Sequence, residues 1–135
     1  MRTTLRSLRR GLAIVAGGSR LATARDVYLD LDSGRVLGFP AVLDEGSQER
    51  YVPQAAVSHA CASSLEVPSE LYLLNEATFY RANVTSAVRL VGTQTTDGHV
   101  VSDVVFDLEA GLVTALELDG ETEIAPNLVL LGDRT

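Results

Sequence analysis

The chain contains one of its own segments twice. Residues 26–36, running Asp26, Val27, Tyr28, Leu29, Asp30, Leu31, Asp32, Ser33, Gly34, Arg35, Val36, align with residues 103–113 at a constant offset of 77, with six identical positions and three more of like character. An internal repeat outranks composition as a constraint, because each copy has to find the same kind of neighbours. The same punctuation surrounds both copies. Gly17 with Gly18, Ser33 with Gly34 and Glu45 with Gly46 separate the apolar runs of the first, and Asp97 with Gly98, Ala110 with Gly111 and Asp119 with Gly120 those of the second. Asp-Gly is a hairpin signal, since a type I′ turn needs positive φ at both central residues.

Between these turns the chain reads as strand. Val27, Leu29 and Leu31 alternate with Asp26, Tyr28, Asp30 and Asp32, and Val104, Phe106 and Leu108 alternate with Asp103, Val105, Asp107 and Glu109. Period two is the pattern of a half-buried strand and puts the aspartates toward water. The pattern predicts strands at 12–16, 21–32, 35–43 and near Tyr51, then at 88–92, 100–109, 112–118 and 121–125. Each copy ends in a short strand closed by proline, at Pro53 and Pro126. Between the copies, Pro68, Ser69 and Glu70 look like a helix start, with Leu71, Leu74 and Thr78 on one face up to Tyr80; a strand at 71–74 fits nearly as well. Short strands at this spacing favour closed or nearly closed barrels.

A half of ~65 residues buries too little surface to stand comfortably alone. The expectation is therefore a mainly β protein of two small barrels packed as a fused pseudo-dimer. Its parts are a first repeat at 1–67, a connector at 68–87 and a second repeat at 88–135, and it unfolds as one unit.

Charge excludes some partners. The 135 residues carry a net charge of −7, and all 11 basic residues are Arg, the bias of a GC-rich genome. A nucleic-acid binder ordinarily supplies a positive field, so direct DNA binding is not expected. The charge is uneven. Residues 1–67 hold eight Arg against seven acids and residues 68–135 three against eleven, so the halves read +1 and −8. Arg2, Arg6, Arg9 and Arg10 form a basic cluster suited to an acidic partner or an anionic membrane surface, or equally to the acidic half of the same molecule. A lone Cys61 gives no internal disulfide. The Arg-rich start followed by a short apolar run mimics a signal peptide, but Gly17, Gly18, Ser19 and Arg20 break it, and no run approaches the ~20 apolar residues of a membrane span. A cytoplasmic protein is expected.

The ordered set of Asp-bearing strand, Ser33-Gly34 turn, apolar strand, then Val52, Pro53 and Val57 resembles the PRC-barrel domain, the family of the photosynthetic reaction centre H subunit and of a ribosome maturation factor. The second copy resembles it too through Asp97, Gly98, Asp103, Asp107, Gly111 and Pro126. The resemblance implies a small barrel that docks a macromolecular partner in protein assembly or RNA processing, without catalytic residues, metal or cofactor. The second copy runs out soon after Leu128–Leu131, so its closing strand is either missing or borrowed from residues 58–74.

Other candidate chemistry is thin. Asp30, Asp32 and Gly34 resemble the opening of a calcium loop, but the bidentate position falls on Ala41. His59 and Cys61 are spaced to share a strand face as base and nucleophile, without a third orienting group. His59 and His99 are too far apart in sequence to suggest zinc. Gly17-Gly18 lacks the residues of a phosphate loop, and Asn83-Val84-Thr85 is a glycosylation sequon with no role in a cytoplasmic chain. Three functions remain: a noncatalytic docking module, a ligand binder or small enzyme with Asp30 and Asp107 meeting at the seam between repeats, and an accessory factor in RNA or ribosome maturation.

Overall fold

The computed structural model describes residues 2–61, 63–77 and 83–125. β1 (Arg2–Thr4) runs into α1 (Leu5–Leu8), a single turn whose Leu5 and Leu8 are buried and whose Thr4 hydroxyl accepts the Ser7 N–H at 3.1 Å. β2 (Leu12–Ala16) and β3 (Ser19–Ala24) form a hairpin in which Gly17 and Gly18 both take positive φ, +58° and +80°. This is the two-residue turn that follows the right-handed twist of the flanking strands. β4 (Tyr28–Asp30), β5 (Val36–Leu43) and β6 (Glu49–Pro53) make a meander, followed by the short hairpin β7 (His59–Ala60) and β8 (Ser64–Glu66). Then come β9 (Val84–Ser86), α2 (Ala87–Leu90), β10 (Val101–Asp107), β11 (Leu112–Leu118) and β12 (Thr122–Ile124).

These elements build two curled sheets with the form of a half-barrel. One has the order β1-β10-β11-β12; the other runs β7-β8-β2-β3-β5-β4-β9, with β6 also on β5. Pairing register coincides at equivalent positions. Tyr28 faces Gly38 and Leu29 faces Val36 across an irregularity, and Val105 faces Ala115 and Phe106 faces Val113 across another. Phe39 opposite Val52 has its counterpart in Leu116 opposite Ile124. The outer neighbour of each hairpin comes from the distant part of the chain: β9 pairs with β4, and β1 with β10. The two turns meet through a reciprocal pair of bonds, Val36 N–H to Gly111 O at 2.8 Å and Val113 N–H to Gly34 O at 2.9 Å.

One apolar cluster includes Leu5, Leu12, Leu29, Phe39 and Leu65 together with Val101, Phe106, Leu108 and Leu116. Burial of each such side chain contributes about 1.5–3 kcal/mol, and side chains of both sheets belong to this one cluster.

The structure corrects several expectations. The strand expected at 21–32 is two strands, interrupted where Asp26 Oδ1 accepts the N–H groups of Val27 (2.7 Å) and Val88 (3.1 Å). Residues 88–92 are not strand. α2 forms there because Ala87 and Leu90, three apart, bury on one face while Asp26 takes up a free N–H at the helix start. The aspartates do not all face water: Asp30 is 0% exposed and Asp103 2%, since Asp30 accepts the N–H of Asp32 in its own turn and Asp103 accepts those of Arg6 in α1 and of its strand neighbour Val104. Residues 58–66 lend their strands to the sheet of β2, where β8 lies parallel to β2, and not to the sheet of β10. Glu70–Tyr72 is a single 3-10 turn capped by the Ser69 hydroxyl, after which Leu74 bridges to Tyr51. Thr78, Tyr80, Pro126 and Leu128–Leu131 lie outside the described residues.

Candidate functional site

The Asp30 carboxylate is occupied by its own turn, with Oδ1 accepting the Asp32 N–H at 3.0 Å and Oδ2 the Ser33 hydroxyl at 3.0 Å. Asp32 in turn accepts the Asn83 side-chain amide at 2.8 Å. The equivalent Asp107 accepts the N–H groups of Glu109 and Ala110, both at 3.0 Å, and the Ala110 bond above all holds its carboxyl below the ordinary range. A pair sharing a proton would push one carboxyl upward. Among the described residues, no group of three or more His, Cys, Asp or Glu side chains is arranged to hold a metal ion.

Cys61 is partly exposed, and its Sγ lies 2.8 Å from the Ser64 hydroxyl, whose hydrogen bond lowers the thiol pKa. His59 is exposed on β7, opposite Glu66. His99 Nδ1 stands 2.6 Å from Asp119 Oδ2, an exposed pair. The Asp119 carboxyl is lowered first by the Val100 N–H and then by His99. This pair escaped sequence reasoning because its members are 20 residues apart, joined by the β10–β11 hairpin. Gly17-Gly18 is a hairpin turn and nothing more.

The basic amino terminus divides. Arg2 pairs with Glu123, while Arg6 lies 3.4 Å from Glu117 and 3.8 Å from the buried Asp103. For these two the partner is the acidic part of the same chain. Arg9 and Arg10 carry no ion pair among the described residues.

A surface feature that the charge and repeat arguments missed is apolar. Leu71 is 83% exposed, and Tyr72 and Leu74 in the same segment are exposed as well. The segment is held to β6, because Tyr51 and Leu74 exchange both backbone bonds at 2.8 Å. Leu71 and Leu73 border a groove of 700 Å³ together with Leu21 and Leu43, rimmed by Arg20, Asp44, Glu45, Arg50 and Glu70. The sequence signal for this surface is the run Leu71-Tyr72-Leu73-Leu74 between polar residues, which pattern alone assigns to a helix face or a strand and not to an exposed surface.

No protein-family model and no curated protein matches this chain. Among the described residues no helix is long and apolar enough to cross a membrane.

Proposed function

We propose that the chain is a noncatalytic docking module of the PRC-barrel type, made of two copies of one small β unit packed as a pseudo-dimer, and that it holds a protein partner on the surface around Leu71. The observation that carries the docking role is the exposed apolar segment 71–74, fixed to β6 by paired backbone bonds and bordered by a groove with mixed charges at its rim. A contiguous apolar patch with a polar rim is how transient interfaces are built. The occupant is an apolar segment of a partner protein inserted between Leu71, Leu73, Leu21 and Leu43. The duplicated architecture is supported by coincident registers and by the reciprocal bonds at Gly34 and Gly111.

Leu71→Asp tests it, since an exposed residue can accept a charge without unfolding the protein. A partner that copurifies with the wild-type chain from its own cells should be lost with L71D, while the melting temperature stays put. Equal retention by wild type and L71D, or no copurifying protein at all, defeats the proposal.

A further inference from the structure

Three clefts of the surface adjoin through shared arginines. Arg50 lines both the groove beside Leu71 and a second cleft of 460 Å³. Arg9, just after α1, lines that second cleft and also a third, again 460 Å³, which holds Arg6 and Arg10 as well. Arg25 stands in the middle cleft, with its Nη2 3.7 Å from the point where a side chain at Gly11 would begin, so it lies against the residue that follows Arg10. The run from Arg50 through Arg25 to Arg9 and Arg10 is therefore continuous with the docking groove.

These guanidiniums have found no acid within their own chain, while other arginines have. Arg2 pairs with Glu123, Arg6 lies 3.4 Å from Glu117, and Arg20 Nε meets Asp44 Oδ2 at 2.9 Å. Arg9, Arg10 and Arg25 are exposed, and none of the three has a hydrogen bond or ion pair from its guanidinium among the described residues, in a chain with 18 acidic residues. Arg50 donates to two neutral oxygens, Glu49 O and Gln48 Oε1, both at 2.8 Å. The carboxylates beside the run are largely engaged, since Asp26 Oδ1 and Asp103 Oδ1 each accept two backbone N–H groups. Glu49 remains in the middle cleft, one carboxylate among three guanidiniums. At the groove, by contrast, Asp44, Glu45 and Glu70 balance Arg20 and Arg50, so positive charge rises from the groove toward α1. Like charges gathered in this way repel one another until a counter-charge arrives.

We propose that the partner segment held at the groove has two parts: apolar side chains that enter beside Leu71 and Leu73, and an acidic stretch that continues along Arg50, Arg25, Arg9 and Arg10. The assignment rests on the docking role at Leu71 and specifies the chemistry of the partner. Planar guanidinium forks take carboxylate oxygens in pairs. A short acidic segment suits this surface better than a long polyanion. A duplex or a bilayer would reach past the ~8 Å over which physiological salt confines a surface field, and would meet the rest of a chain whose net charge is −7.

The probe is a fluorescein-labelled peptide with a leucine pair beside a run of glutamates, made in both chain directions and titrated with the full chain by anisotropy. Its companion carries glutamines in place of the glutamates. The acidic peptide should saturate and bind roughly tenfold more tightly than the neutral one, an advantage that shrinks as salt rises. Arg9→Gln combined with Arg10→Gln should remove most of that advantage and leave the neutral peptide unaffected. Arg35→Gln, which removes an exposed charge at the Gly34 turn, should change neither. L71D should weaken both peptides alike. Equal binding of the two peptides by the wild-type chain overturns the proposal and leaves the docking groove in place. Binding of neither, or binding that L71D does not weaken, removes the groove and the proposal with it. An equal loss in R35Q overturns the proposal, as does tighter retention of a thymidine oligonucleotide or of phosphatidylserine vesicles than of the acidic peptide.

Discussion

The meander β4-β5-β6 and the meander β10-β11-β12 have the same strand order and the same register, yet they differ in what surrounds them. Around the first, the hairpin β2–β3 is long and β8 and β7 extend the sheet; in the second, the equivalent hairpin is reduced to a single bridge, Gln94 to Val100. Gly38 on β5 has no room for a Cβ because the Tyr51 ring and Val52 O lie over it, whereas its counterpart on β11 is Ala115, with Glu123 where Tyr51 would stand. The shared part is the part that the exchanged segments β1–α1 and β9–α2 must grip. The elaborated part carries the exposed Leu71 and Leu74.

The largest expected effect tests whether the two halves share one core. Phe106→Ala removes a ring that is 0% exposed and should cost about 4 kcal/mol; its counterpart Leu29→Ala should cost about 3 kcal/mol. Both variants should melt in one calorimetric transition. Two separated transitions in either would show that the halves are independent and break the comparison at its base.

A smaller effect distinguishes the two aspartates at the segment crossings. Asp103 accepts the N–H groups of Arg6 (3.1 Å) and Val104 (2.8 Å) and also faces the Arg6 guanidinium, while Asp26, only half-buried, meets Val88 where the other has Arg6. Asp103→Ala should cost about 3 kcal/mol and Asp26→Ala about 1.5 kcal/mol in urea denaturation, the range of bonds to charged acceptors. Equal losses would mean that Arg6 adds nothing.

The smallest effect is electrostatic. With the Asp107 carboxyl depressed by turn N–H groups, its contribution is present above the ordinary 3.8 and is lost as pH falls through the lower folded value. A carboxyl NMR titration should place the Asp107 midpoint below 3.8, and a midpoint at or above it would sever the turn from the charge.

The sequence made most of the strands visible, and for a physical reason. β2 and β11 end where they were expected because glycine turns bound them and period-two burial runs between. The amino-terminal strand and helix were missed: Leu5 and Leu8 are only one turn apart, too short for helical periodicity to register, and arginines hid them as a basic cluster. Val88–Leu90 deceived for the same reason. Burial of Asp30 and Asp103 escaped alternation rules because a carboxylate that fills its needs from nearby backbone N–H groups has no further claim on water. The candidate surface was legible only in part, since the groove beside Leu71 assembles Leu21, Leu43, Leu71 and Leu73 from separate stretches, and spacing carries no trace of that.

The exchange of β1 and β9 between sheets has a topological corollary. Each end of the molecule is clasped by a segment belonging to the other, so a chain cut once between β8 and β9 would release no free fragment. The severed pieces would remain interlocked until the common core melted, and the peptide link between them is in that sense a tether on an embrace that holds without it.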